Sequence, residues 1–342
     1  MTSVTVGDAP GDAGGPTRGA GTVAGDAGGR GGTARPVAES FGDRLAGRVA
    51  SRGSQIVLGL DPDPARLWPQ AIEAAGGGDA TPVERAAMAV AVHCRLVIEA
   101  AGEHCVAVKL QLACFERLGA PGWAALEDVA AAAHERGLLV IADAKRGDID
   151  VSAAAYGQAF FGGTPTPFGP VAGLGADALT VNPLLGRDSL APLVGAARAS
   201  CGGLFALVRT SNPGAADVQE QELAAGGSVS TRLAAIVTEL GADGIGASGL
   251  ADVGAVVGAT APARLEMLRE TMPHAVFLLP GVGAQGGRVE DLAAAFVPGP
   301  AAGLIAVSRS VVSAHERAGG RPSTAAAAEA ARLRELAWGL CT

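Results

Sequence analysis

Short apolar runs recur along this chain from about residue 55, and between them apolar positions fall three and four residues apart. The runs suit strands buried on both faces, and the wider spacing suits helices packed along one side. The pattern predicts a first helix from Ser40, carried by Phe41, Leu45 and Val49, and then strands over 55–62, 105–110, 139–145, 178–182, 204–210, 254–260, 275–279 and 303–308. Helical stretches are predicted over 82–101, 121–136, 152–161, 189–199, 219–240 and 323–338. Strands that alternate with helices in this way predict an α/β fold, and eight of them fit a (β/α)8 TIM barrel. An open doubly wound sheet fits less well, because no G-x-G-x-x-G follows the first strand. Residues 1–37, rich in Gly, Ala, Asp and Thr, bury too little apolar surface to offset ordering and predict a disordered tail. The barrel domain is expected over 38–342.

The third run breaks the pattern. It ends Val140-Ile141-Ala142-Asp143-Ala144-Lys145-Arg146-Gly147-Asp148-Ile149, an alternation of acid and base at a strand exit. Asp143 and Lys145 are two apart, so a strand directs both to one face. In a barrel every strand's C-terminal end faces one mouth, which gathers Asp61 from strand one, Lys109 from strand two, and Asp143 and Lys145 from strand three. Charge gathered so closely must be paired or used.

Lysine usage singles out the same positions. The chain has 26 Lys and Arg, and only Lys109 and Lys145 are lysine, which leaves 24 arginines. Arginine stays protonated, whereas an ammonium can give up a proton or form an imine, so two lysines at two strand ends point to chemistry rather than to surface charge. The plain alternative is two buried lysines held in ion pairs.

Composition narrows the partners. A net charge of -8 argues against a nucleic-acid or acidic-membrane surface, and no apolar stretch is long enough to span a bilayer. The N-terminus has neither the basic nor the apolar part of a secretory signal, so a soluble cytoplasmic protein is expected. Five cysteines without a C-x-x-C pair fit reduced thiols, and five scattered histidines show no metal-ligand spacing, so no metal is expected.

Barrels often hold phosphate on the loops after strands seven and eight. Here strand seven exits into Pro280-Gly281-Val282-Gly283-Ala284-Gln285-Gly286-Gly287, whose glycines let backbone N–H groups approach an anion, and strand eight exits into Ser308-Arg309-Ser310. A small phosphorylated substrate is expected.

Together with Leu58-Gly59-Leu60-Asp61-Pro62, Val108-Lys109 and Thr210-Ser211-Asn212-Pro213-Gly214, these motifs resemble the orotidine 5'-phosphate decarboxylase family, specifically its longer, type 2 branch. The resemblance runs in order from about residue 40 to 338. It implies conversion of orotidine 5'-monophosphate to UMP and CO2, the last step of de novo UMP synthesis, without a cofactor. It further implies a homodimer in which Lys109, Asp143 and Lys145 come from one subunit, while Asp148 and Ser152 are contributed to the partner's site. Asp61 and Lys109 would contact the ribose hydroxyls. Ser211, or Thr210, would hydrogen-bond the pyrimidine, and Gln285, Gly286 and Arg309 belong to the phosphate end. Two positions depart from the family: Asp150 stands where glycine is common, and Ser152 where threonine is common. Rival readings are a Mg-dependent sugar-phosphate decarboxylase or hexulose-phosphate synthase on the same barrel, a Schiff-base aldolase using Lys109 or Lys145, and a non-catalytic phosphate-binding barrel.

Overall fold

The computed structural model describes residues 39–77, 79–283 and 285–341; the expected tail over 1–37 lies outside them. Eight parallel strands form a closed barrel. They are β1 (Ile56–Leu60), β2 (Ala107–Gln111), β3 (Leu139–Arg146), β4 (Ala178–Val181), β5 (Gly203–Arg209), β6 (Val253–Val257), β7 (Phe277–Pro280) and β8 (Gly303–Val307), with β8 pairing back onto β1. The (β/α)8 barrel expected from the sequence is therefore the fold, and every predicted strand overlaps an observed one. A two-stranded antiparallel ribbon, Gly163–Thr164 with Val171–Ala172, is an excursion before β4.

Side chains along each strand alternate between the barrel interior and the helices outside. Val57, Ala107, Ile141, Ala178, Phe205, Val256, Leu278 and Leu304 belong to an inner cluster. Ile56, Leu58, Val108, Leu110, Val140 and Ala142 pack outward with helix residues such as Val90, Val97 and Leu126. The phase of this alternation places the chemistry. Continued toward the C-terminal ends, the inward set reaches Gly59 and Asp61 from β1, Lys109 and Gln111 on β2, Asp143 on β3 and Thr180 on β4, all of which line one cavity.

Helix Phe41–Arg52 contributes to the inner cluster. Ser40 accepts the Asp43 N–H at its start, Gly53 at φ 53° ends it, and its apolar face is buried. The Phe41 ring meets Phe205 edge-on at 6.0 Å, and full burial of such a ring contributes about 2–3 kcal/mol. Helix Pro82–Ala101 has the predicted bounds because Thr81 and Glu84 form a reciprocal cap ahead of Pro82. One helix is shorter than the spacing predicts: the stretch over 219–240 becomes helical only at Val229–Gly241. Gly226 and Gly227 take φ of 89° and 74°, which breaks the helix, and Ser228 then starts it afresh by capping Thr231. Apolar spacing does not register the sign of φ.

Candidate active site

The cavity at the C-terminal mouth of the barrel measures about 590 Å³. Asp143 lies buried in its wall, with Lys109 Nζ at 2.7 Å from Oδ2 and Lys145 Nζ at 2.6 Å from Oδ1. Asp61 stands 3.6 Å from Lys109. Burial favours the neutral form of Asp143, but the two ammoniums outweigh it and hold the carboxyl down to about 2. Burial likewise favours neutral Lys109, and the charges of Asp143 and Asp61 outweigh it and raise its pKa. Asp143 and Lys109 are therefore both ionised at neutral pH. Both lysines are ion-paired, and they are paired into one chain of alternating charge that faces the cavity.

The strand carrying this array is irregular where it matters. Between Ala142 and Arg146, β3 advances four residues while β4 advances only two, from Leu179 to Val181. The surplus forms a bulge, and within it Lys145 takes φ 50°. Asp143 and Lys145 do share a face, as the spacing of two implied, but a regular strand is not what brings them together. Thr180 lies against the bulge. Its hydroxyl donates to Asp143 Oδ1 at 2.8 Å and accepts the Lys145 backbone N–H at 3.0 Å. Sequence reasoning passed over Thr180. The available signal was that it is the one polar residue within the run Ala178-Leu179-Thr180-Val181 and occupies an inward position.

Beyond Gly147 the chain leaves the cavity. Asp148 accepts the Ile149 N–H at 2.8 Å and does not line the cavity of its own chain. Ser152, on the first turn of helix Asp150–Phe160, is exposed and also lies outside it. Asp150 takes φ 46° and is exposed with no ion pair among the described residues, so the position where glycine is common in the family is one of left-handed backbone. A short acidic side chain tolerates that conformation better than most.

Farther round the barrel, β5 exits into the Thr210 to Gly214 turn. Thr210 and Ser211 both line the cavity; the Thr210 hydroxyl is engaged with Asn212 Oδ1 at 2.7 Å and with Gln219, whereas the Ser211 hydroxyl has no hydrogen-bond partner among the described residues. Gln285 and Arg309 also line the cavity, both from exposed positions. The glycines after β7 behave differently from expectation. Gly281, Gly283 and Gly286 do need positive φ, at 103°, 76° and 92°. However, the N–H groups of Gly283, Gly286 and Gly287 donate to carbonyls within the loop, so these donors are used to hold the turn. Gly286 itself does not line the cavity. Ser310 does, and its hydroxyl oxygen is buried without a partner among the described residues.

With that geometry in place, the relatives of the chain are informative. The model of the "Orotidine 5'-phosphate decarboxylase / HUMPS family" matches residues 54–320. The orotidine 5'-phosphate decarboxylase of Deinococcus radiodurans is 41% identical over 279 residues, covering 80% of this chain and 89% of that protein. The enzyme of that name from Rhodopirellula baltica is 39% identical over 281 residues, covering 81% and 90%. Among solved structures, Leishmania donovani OMP decarboxylase superposes with a TM-score of 0.66 at 30% identity, covering 88% of this chain and 99% of that one. A match of this extent, joined to a closed barrel with its charged array at the mouth, means that this chain belongs to the orotidine 5'-phosphate decarboxylase / HUMPS family.

Proposed function

We infer that this protein is a carboxy-lyase that converts orotidine 5'-monophosphate to UMP and CO2 in pyrimidine biosynthesis, and that it does so without a cofactor. The observation that carries this reading is the unbroken chain Lys109, Asp143, Lys145, with contacts of 2.7 and 2.6 Å, facing a cavity that Gln285 and Arg309 also line. When the bond from C6 to the carboxyl group breaks, its electron pair stays on C6 in the plane of the ring, where the π system cannot delocalise it. The barrier then falls chiefly through positive charge already placed at C6. Lys145 is that charge, and its ammonium proton passes to C6 as CO2 leaves; solvent restores the proton afterwards. Asp143, beside the departing carboxylate, repels it, and the repulsion disappears when neutral CO2 forms. Asp61 and Lys109 meet the ribose hydroxyls, Ser211 the pyrimidine, and Gln285 and Arg309 the phosphate, so binding energy from the remote phosphate holds the ring against the array.

The active unit in this reading is a homodimer, with Asp148 and Ser152 serving the partner's site. Two features support it. Neither residue lines its own cavity, and the exits of β3 and β4 expose Ile149, Val151, Leu184 and Leu185 to 51%, 83%, 71% and 54%, an apolar surface of the kind that a second subunit covers.

The test is a spectrophotometric assay with orotidine 5'-monophosphate in the presence of a chelator. Loss of substrate absorbance with stoichiometric UMP is expected, at the same rate with and without chelator. Absence of conversion would overturn the assignment, and activity abolished by chelator would move it to the Mg-dependent sugar-phosphate chemistry of the wider family.

A further inference from the structure

The array depends on a backbone conformation that an ordinary strand does not supply. Lys145 sits in the left-handed region at φ 50°, inside a bulge where β3 carries two residues more than its partner strand accommodates. A bulged residue loses its ladder partner, and a non-glycine residue resists positive φ, so something must hold this one in place. Among the described residues, Thr180 does so in a way that also reaches the chemistry. Thr180 is 1% exposed. Its hydroxyl accepts the Lys145 N–H at 3.0 Å and donates its one proton to Asp143 Oδ1 at 2.8 Å. That same oxygen receives the Lys145 ammonium at 2.6 Å. One hydroxyl therefore clamps both ends of the Lys145 to Asp143 link, the backbone of one residue and the carboxylate of the other.

Resting on the decarboxylase reading above, we propose that Thr180 is a positioning residue of the reaction: it fixes the left-handed conformation of Lys145 and the rotation of the Asp143 carboxylate, and so sets where the proton donor stands. It does not touch substrate in this role. The methyl group matters little, and the hydroxyl matters through both of its hydrogen bonds. Removing it leaves a backbone N–H without a partner and lets the carboxylate turn, while the phosphate and base contacts stay as they were.

The experiment compares Thr180→Val, which keeps shape and loses the hydroxyl, with Thr180→Ser, which keeps the hydroxyl. Both are measured as purified full-length protein with thermal unfolding recorded alongside. For Thr180→Val, kcat is expected to fall by about ten- to a hundredfold, the scale of losing one well-placed polar interaction in a transition state, with KM changed less than about threefold and UMP affinity retained. The acid limb of the kcat profile moves to higher pH, because Asp143 has lost a donor that favours its charged form. Thr180→Ser is expected to return kcat to within about threefold of wild type and to restore the acid limb. Wild-type kcat in Thr180→Val, equal impairment of both variants, or a loss confined to KM overturns the proposal. Should Thr180→Val not fold, Thr180→Cys, similar in volume and a weak donor, takes its place with the same expectations and the same refutation. Absence of wild-type turnover in the same assay would count against the decarboxylase reading itself; an active wild type with an unimpaired valine variant counts against Thr180 alone.

Discussion

At the residue scale the site is a problem of placing like charges close together. Lys109 and Lys145 both reach Asp143, and each ammonium is tolerable there because the carboxylate lies between them. Arginine, used almost everywhere else in the chain, could pair with Asp143 but could not give a proton to carbon. Lys145→Ala should therefore lose kcat by about a thousandfold or more while still binding UMP, and steady-state assays with UMP titration check this. Near-normal turnover would remove Lys145 from the donor role. The same pairing has a consequence for stability. Because the Asp143 carboxyl is held down from its ordinary 3.8 to about 2, the stabilisation from its ionised form is present above the ordinary value and is lost as pH falls toward 2. The difference in unfolding free energy between wild type and Asp143→Asn should thus be widest at about pH 5 and shrink steadily down to about pH 2. Denaturant titrations across that range measure it, and a gap independent of pH would show that Asp143 is not held in this way.

At the element scale the reading rests on how strands end. A period of two explains why Asp61, Lys109, Asp143 and Thr180 all face inward, and for the first three that much is legible in the spacing of the apolar runs. The bulge between Ala142 and Arg146 was not visible, because nothing in Asp143-Ala144-Lys145 marks a residue at positive φ. Gly147 shows what the local packing allows. A methyl group added there would sit 2.7 Å from the Asn182 carbonyl oxygen, against backbone that has little freedom to retreat. Gly147→Ala should accordingly cost about 1–3 kcal/mol of stability and shift the turn that carries Asp148, lowering kcat more than it weakens UMP binding. Calorimetry together with steady-state kinetics tests this; a variant with wild-type stability and kcat would mean that the turn yields freely.

At the scale of the whole molecule two arrangements stand out. Arg269 is 5% exposed and has no acidic partner among the described residues; its guanidinium donates to the carbonyls of Met272, Ala275, Ala295 and Ala302 and lies 3.7 Å over the Phe277 ring. Burial lowers it to about 10, so it remains a cation at neutral pH and ties together the segments around β7 and β8. The second arrangement is the division of the site. If Asp148 serves the partner subunit, then Lys145→Ala and Asp148→Asn homodimers are each impaired, and unfolding and refolding them together produces mixed dimers with one intact site apiece. Random pairing makes half of the dimers mixed, so activity should return to roughly a quarter of wild type. Recovery no greater than the sum of the two variants would show that each subunit works with its own Asp148.

The sequence alone determined the barrel, the strand ends and most of the residues around the cavity, because strand period and the reservation of lysine for two positions are both local patterns. It also pointed to Asp150 as unusual, and the left-handed backbone there gives the physical reason. Only the tertiary structure shows which hydroxyl of the pair 210 and 211 is already engaged, since that of Thr210 is bonded to Asn212 and Gln219. Only the tertiary structure, likewise, found Thr180, whose importance lies in two partners on a neighbouring strand, 35 and 37 residues away in sequence. Periodicity reports which way a side chain faces. What it meets there depends on closure of the sheet, and closure is a property of all eight strands at once.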